Sequence, residues 1–204
     1  MMKLIIASNN AHKIEEIRSI IGNSFEIMTL QEAGIDIDIP EPYDTIEANA
    51  SAKSRFIYQF TRINCFSDDT GLEVDALGGE PGVKSARYAG EIKAFDKNIE
   101  KLLLKLGNHP DRKARFRAVI SLILEGKDFL FEGICEGKII YSPKGDGGFG
   151  YDPVFVPDGE NRTFAEMNLE EKNRHSHRRK AMDKLVAFLQ KWKQNHNIES
   201  GKQP

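Results

Sequence analysis

Apolar positions along the chain fall into short blocks divided by polar turns, and the spacing within each block names an element. Lys3 to Ala7 is a brief apolar run before a polar turn and reads as a buried strand. His12 to Ile21 places Ile14, Ile17 and Ile21 at helical spacing, and Phe25 to Leu30 predicts a second strand. Gly34 to Asp44 contains Pro40 and Pro42, so an extended loop is expected. Thr45 to Thr61 carries Ile46, Ala50, Ile57 and Phe60, a helical pattern, and Ile63 to Ser67 reads as a strand ending at Asp68 and Asp69.

Gly78 to Gly90 is glycine-rich and polar, hence a loop. Phe95 to Leu106 sets Ile99, Leu102, Leu103 and Leu106 on one helical stripe. Ala114 to Leu124 alternates, with Ala114, Phe116, Ala118, Ile120, Leu122 and Leu124 on one face of a long strand and Arg115 and Arg117 on the other. Phe129 to Glu136 pairs with it through a turn at Gly126. Pro143 to Pro157 is a second glycine-rich loop. A helix starts at Ser176 and carries Ala181, Leu185, Phe188, Leu189 and Trp192. Strands and helices mix without strict βαβ alternation, so the expected fold is α/β with a mixed sheet. Neither a repeat nor a linker divides the chain: residues 1–194 read as one domain, and 195–204 as a polar, frayed tail.

Composition narrows the function. The 204 residues include 40% hydrophobic and 29% charged, enough for a sizeable core. With 29 basic against 31 acidic residues the formal net charge is −2, which gives no bulk attraction to nucleic acid or to an anionic membrane. Any anionic ligand must be held by a local cluster. No apolar run approaches a membrane span, and Leu4 to Ala7 is too short for a signal peptide. Cys65 and Cys135 stand far apart in apolar runs and read as buried, reduced thiols of a cytosolic protein.

Three segments carry candidate chemistry. Ser8-Asn9-Asn10-Ala11-His12-Lys13 joins the first strand to the first helix, where free N–H groups and the helix dipole favour a phosphate; a plain capping turn with a solvated lysine fits as well. Asp68 and Asp69 suit a hard cation such as Mg²⁺ or the activation of water, and serve equally as a turn-capping pair. As strand neighbours they should point to opposite faces and should not both line one pocket. Arg174 to Lys180 is the densest basic cluster; a zinc site through His175 and His177 lacks further ligands, and a nucleic-acid patch lacks wider positive charge. No Walker loop exists, since Gly126-Lys127, Gly137-Lys138 and Gly201-Lys202 lack the following Ser or Thr. Gly145 to Gly150 lies between Pro143 and Pro153 and cannot open a dinucleotide-binding helix.

Taken together the segments resemble the inosine triphosphate pyrophosphatase family from Lys3 to about Phe188. The likeness rests on Ser8-Asn9-Asn10 with Lys13; Asn49-Ala50 with Lys53; Ser67 to Leu72; Gly78 to Gly82; Ser85 to Tyr88; Gly148 to Pro153; Phe164 to Met167; Glu171-Lys172; and Ser176-His177-Arg178. It implies cleavage of non-standard purine triphosphates (ITP, dITP, XTP) to the monophosphate and pyrophosphate, with Mg²⁺ as cofactor. It also implies a homodimer and an elongated, twisted mixed sheet with flanking helices and two lobes around a central cleft. By motif, Ser8, Asn9, Asn10, Ala11, His12, Lys13 and Lys53 would hold the phosphates, and Thr70 would touch substrate. Asp69 would be the catalytic base and lie at the metal with Glu41. Phe149, Gly150, Tyr151, Asp152, Lys172, His177 and Arg178 would hold the purine. Two departures stand out: Ala48-Asn49 where the family often has Glu-Asn, and Thr70 where serine is common. Glu47 is a neighbour of the missing acid but about 100° round the helix.

Overall fold

The computed structural model describes residues 2–21, 25–90 and 94–200. Its sheet has seven strands among these residues: β1 (Lys3–Ile6), β2 (Glu26–Thr29), β3 (Cys65–Val74), β4 (Pro81–Gly82), β5 (Lys113–Leu124), β6 (Lys127–Ile139) and β7 (Phe155–Pro157). The helices are α1 (Ala11–Ile21), α2 (Ile46–Thr61), α3 (Phe95–Leu106), α4 (Leu169–His175) and α5 (His177–Ser200). The order is β2-β1-β3-β5-β6-β7, with β4 attached to β3. The first three strands are parallel and the rest antiparallel, the mixed α/β sheet that the pattern predicts.

Hydrophobic alternation explains how one sheet serves two lobes. On β5 the predicted apolar face splits: Ala114 and Phe116 join the α3 lobe with Leu102, Leu106 and Phe155. Ala118, Ile120, Leu122 and Leu124 join Leu4, Ile6 and Ile17 beneath α1 and α5. On the opposite face Ile5, Ile57, Cys65 and Ile123 cluster under α2. Arg117, on that face as expected, pairs with Glu47 of α2 and Glu132 of β6. Both cysteines are buried and free.

Helix ends follow local chemistry. Thr45 caps α2 by accepting from the Ala48 N–H. Asn10 accepts from the Lys13 N–H at 3.2 Å, and Ser176 from the Arg179 N–H at 3.3 Å. Between β5 and β6 the chain turns through Glu125 and Gly126, both at positive φ, as a two-residue hairpin needs.

Several boundaries differ from the sequence reading. β3 does not end at Asp68 but runs on to Val74, because residues 65–74 pair continuously with β5 and burial by that partner outweighs the polar residues. β6 extends two residues before Phe129 and two beyond Glu136 on the same ladder, and Ile139 is added by pairing with β7. The loop 143–157 ends in β7, which adds to the β6 edge. A short helix, α4, precedes α5 under an Asn168–Glu171 capping box. α5 is assigned through Ser200, past Asn195, while 201–204 lie outside the described residues.

The N-terminus of α5 lies flat on β6 at Gly133, where a β-carbon would stand 2.0 Å from the His177 carbonyl oxygen and 2.5 Å from the Ala181 nitrogen. Both neighbours are backbone and cannot yield. Gly133→Ala is therefore expected to cost about 1–3 kcal/mol of stability, measured by urea unfolding; an unchanged midpoint would refute the close approach.

Candidate active site

A cleft of about 920 Å³ opens between the lobes where the parallel strands end. β1 pairs with β3 only at Cys65 and Phe66, and β4 meets β3 only at Leu72 and Glu73. Among the described residues, Ser67 to Gly71 thus keeps a strand partner on its β5 side alone. The other edge faces the cleft. α1 and α2 pack on opposite faces of the sheet, so the cleft sits at the carboxyl ends of parallel strands where connections diverge, a common ligand position in such sheets.

Asp68 and Asp69 both line this cleft, against the sequence expectation. Their side chains do alternate across the strand, but the cavity wraps around its open edge and reaches both faces. Asp68 turns toward α1 and α5. Its side chain is 0% exposed, with Lys13 Nζ at 2.8 Å and Arg178 Nη2 at 3.3 Å. Burial would raise its pKa, yet the charges of Arg178, Lys13 and Lys53 hold it well below the usual carboxylate range. Asp69 turns toward α2, where Lys53 Nζ lies 2.9 Å from Oδ1. Burial raises the Asp69 pKa, the nearby Glu41 charge adds to that, and the pull of Lys53 and Lys13 does not reverse it. Burial alone would lower Lys53, but Asp69 and Glu41 more than offset it and keep the ammonium charged. Asp68 is thus a committed ion-pair partner, while Asp69 has a basicity above that of an ordinary aspartate.

Glu41 comes from the extended loop before α2. Its Oε1 lies 2.7 Å from Lys53 Nζ, and Arg87 Nη1 approaches Oε2 at 3.4 Å from the far lobe. Asn49, buried one helical turn before Lys53, clamps this loop by donating to the Tyr43 carbonyl and accepting from the Tyr43 N–H, both at 2.9 Å. Glu47 does not take the place of an acid at Ala48: it is paired with Arg117 and is absent from the cleft lining.

The other end of the cleft is built on α4 and α5. Lys172 Nζ bridges Glu16 and Asp152 at 2.6 Å each. Arg178, 1% exposed, donates to Glu16, Asp68 and Thr70. The Phe149 N–H donates to Asp152 at 2.8 Å, folding the glycine-rich loop over that carboxylate. Gly148 is required there, since a β-carbon would stand 2.2 Å from Asp152 Oδ2 and its φ is +71°. His177 stacks on Phe116 at 4.8 Å, and both its ring nitrogens are buried without a hydrogen-bond partner. Burial, then the charges of Arg178 and Lys172, push its pKa well below the usual value, so the ring is neutral. It offers one donor and one acceptor. His175 pairs instead with Glu160, at 3.1 Å.

Of the residues expected at the site, Ser8, Asn9, Asn10, Lys13, Glu41, Lys53, Asp69 and Thr70 line the cleft, as do Phe149 to Asp152, Lys172, His177 and Arg178. Ala11 and His12 do not, because α1 has begun and turned them off the lining; the His12 ring stacks on Phe149 at 5.2 Å. Sequence reasoning missed Glu16, Asn49 as a loop clamp, and Arg87. Glu16 stands beside Ile17 on the buried side of α1 and one turn after Lys13, a position where a buried acid calls for basic partners.

Asp68→Asn should cost about 3–5 kcal/mol, because buried Arg178 would lose one of its two carboxylate partners, keeping Glu16 alone, and Lys13 would lose its own. Urea unfolding measures this, and a loss below about 1 kcal/mol, the scale of a single hydrogen bond, would contradict the ion-pair role.

Known proteins are similar to this chain in sequence and in fold. A family model described as Ham1 family matches residues 4–188. The chain is 51% identical over 188 residues to a dITP/XTP pyrophosphatase of Flavobacterium johnsoniae, covering 92% of this chain and 98% of that protein. The Staphylococcus aureus Ham1 protein superposes with a TM-score of 0.84 at 42% identity, covering 92% and 98% of the two chains. A HAM1 protein from Coxiella burnetii gives 0.86 at 34% identity, covering 94% and 100%.

Proposed function

The chain belongs to the Ham1 family, and we propose that it is a nucleoside-triphosphate pyrophosphatase that hydrolyses ITP, dITP and XTP to the monophosphate and pyrophosphate, so cleansing the nucleotide pool. The observation that carries this reading is the convergence of Lys13 and Lys53 on the Asp68 carbonyl, at 3.3 and 3.0 Å, with Asp69 2.9 Å from Lys53. Two ammonium groups beside a basic carboxylate are what phosphoryl chemistry requires, since it depends on positioning and charge neutralisation rather than a covalent nucleophile.

Ser8, Asn9, Asn10 and Lys13 hold the phosphates at the start of α1, and Lys53 joins them; Ala11 and His12 contribute the backbone of that first turn. Asp69 takes a proton from water as the water oxygen bonds to phosphorus. The bond from that phosphorus to the bridging oxygen breaks, and pyrophosphate leaves. Asp68 cannot be the base, because its charge is spent on Arg178 and Lys13. Glu41 and Asp69 fit a divalent cation: carboxylate oxygens from both lie within 3 Å of one ammonium, so a single cation can face the pair. Two carboxylates with phosphate oxygens suit Mg²⁺. When bound, Mg²⁺ would neutralise phosphate charge. It is needed for balance, as six basic side chains (Lys13, Lys53, Lys84, Arg87, Lys172 and Arg178) face six acidic ones (Asp38, Glu41, Asp44, Asp68, Asp69 and Asp152) around the described cleft.

Phe149 offers a face for the purine, and Thr70, Gly150, Tyr151 and Asp152 shape the pocket around it. Lys172, His177 and Arg178 supply donors for a 6-oxo group. Adenine would present an amino donor there, leaving buried polar groups unsatisfied at a cost of roughly 1–3 kcal/mol. The reading includes a homodimer in the cytosol, without nucleic acid or membrane as partner. The net charge of −2 gives no bulk attraction to nucleic acid or an anionic membrane, and no helix among the described residues is long and apolar enough to cross a membrane.

The decisive assay incubates ITP, XTP, dTTP and ATP with Mg²⁺ and measures pyrophosphate and inorganic phosphate together. Pyrophosphate from ITP and XTP is expected; orthophosphate, or a preference for dTTP or ATP, would overturn the assignment. Asp69→Asn should lower turnover by about 10²–10⁴-fold in a protein whose circular dichroism is unchanged, and near-wild-type turnover excludes Asp69 as base. Arg178→Gln removes the charge yet leaves donors for Asp68 and Glu16, and it should narrow the ITP-to-ATP ratio of kcat/KM by about 5–100-fold. An unaltered ratio argues that Arg178 does not read the base.

A further inference from the structure

Lys53 stands where a cation between the two acids would stand. It projects from α2, is 6% exposed, and its ammonium meets Glu41 Oε1 at 2.7 Å, Asp69 Oδ1 at 2.9 Å and the Asp68 carbonyl at 3.0 Å. An ammonium has three N–H donors, and three acceptors are in place. Lys53 can therefore reach a phosphate only by surrendering one of these bonds. Likewise a metal ion that takes Glu41 Oε1 and Asp69 Oδ1 must displace Lys53 from them. Both events release the same ammonium from the acids, so each makes the other easier.

The scaffold keeps this exchange local. Asn49, on the same helix one turn earlier, fixes the loop that carries Glu41, and β3 fixes Asp69. Neither acid needs to move for the exchange. Lys53 can leave by a swing of its flexible four-carbon stem, while Arg87 keeps its approach to the other oxygen of Glu41. Lys13 is differently placed: its carboxylate partner is Asp68, and it bonds neither Glu41 nor Asp69.

We infer that Lys53 is the resident counter-ion of the Glu41–Asp69 pair and holds the metal site shut until a polyphosphate draws the ammonium away, so that metal and nucleotide enter as a linked pair. This rests on the cleft being a polyphosphate site. The free protein then binds divalent metal poorly, because a metal ion must first pay for displacing Lys53. By linkage, nucleotide raises metal affinity by the factor that metal raises nucleotide affinity. The arrangement leaves the acids neutralised, and the site without a bound metal ion, when no substrate is present.

The test uses Mn²⁺ as the probe, followed by electron paramagnetic resonance, on full-length wild type, Lys53→Met and Lys53→Gln. Each is titrated with and without an ITP analogue whose α,β-bridging oxygen is replaced by methylene. Nucleotide-free Mn²⁺ affinity should rise at least about tenfold in both variants, and the gain from the analogue should shrink by a similar factor. Lys13→Met, which removes a nearby charge that does not sit on the pair, should give a smaller rise. Folded Lys53 variants with wild-type Mn²⁺ affinity, or an equal rise in Lys13→Met, overturn the inference. Should neither Lys53 variant fold, ¹⁵N-lysine NMR of wild type decides: the Lys53 Nζ signal should move with analogue plus Mg²⁺ and stay put with Mg²⁺ alone at micromolar concentrations, and movement with Mg²⁺ alone refutes it. Failure of the analogue to bind wild type brings down the proposed function itself. Binding with a metal enhancement indifferent to Lys53 brings down this inference only.

Discussion

The structure depends on compensating one buried negative charge. The Asp68 side chain is wholly removed from solvent, a condition that costs several kcal/mol for an unpaired ion. Lys13 from α1 and Arg178 from α5 meet its carboxylate, while Lys53 from α2 reaches its backbone carbonyl. Three helices are thereby drawn to one point on β3. Arg178 needs a second carboxylate for its remaining donors, and Glu16 supplies it; Glu16 in turn shares Lys172 with Asp152. The chain of charges crosses the cleft from the phosphate end to the base end, so both ends are positioned by the same network.

That network sits where it does because, among the described residues, β3 has an open edge from Ser67 to Gly71. β1 is too short to cover it beyond Phe66, and β4 touches it only near its end. An uncovered edge carries backbone groups that must be satisfied, and here lysine ammonium groups serve the Asp68 carbonyl. A paired edge would have excluded ligand; an edge bonded to side chains can exchange them for one. The opening also lets adjacent aspartates with opposite orientations share a single cavity, one holding charge and the other with its pKa lifted by burial.

Ala48 illustrates how position on a helix decides a role. Glu47 carries the charge that might have replaced an acid there, yet the rotation between neighbouring helical residues turns it to Arg117 and away from the cleft. The acidic shell of the site is then Glu41 and Asp69, brought together by Asn49 and Lys53 on successive turns of α2.

Local periodicity and punctuation determined most of the elements: the alternation of 114–124, the stripe on 95–106, and the caps at Thr45 and Ser176 are properties of neighbouring residues, and the chain reads them off itself. The family likeness was legible because its motifs stand in order, and most of the residues to which it gave a role line the cleft. Tertiary structure alone decided the rest. Whether β3 continued past two aspartates depended on β5 as a partner, and whether those aspartates shared a pocket depended on the missing partner on the other edge. Glu16 and Arg178 are 162 positions apart, and no local pattern encodes a charge pair at that distance. Burial sets the energy of such a pair, and burial is fixed only once the whole chain has packed.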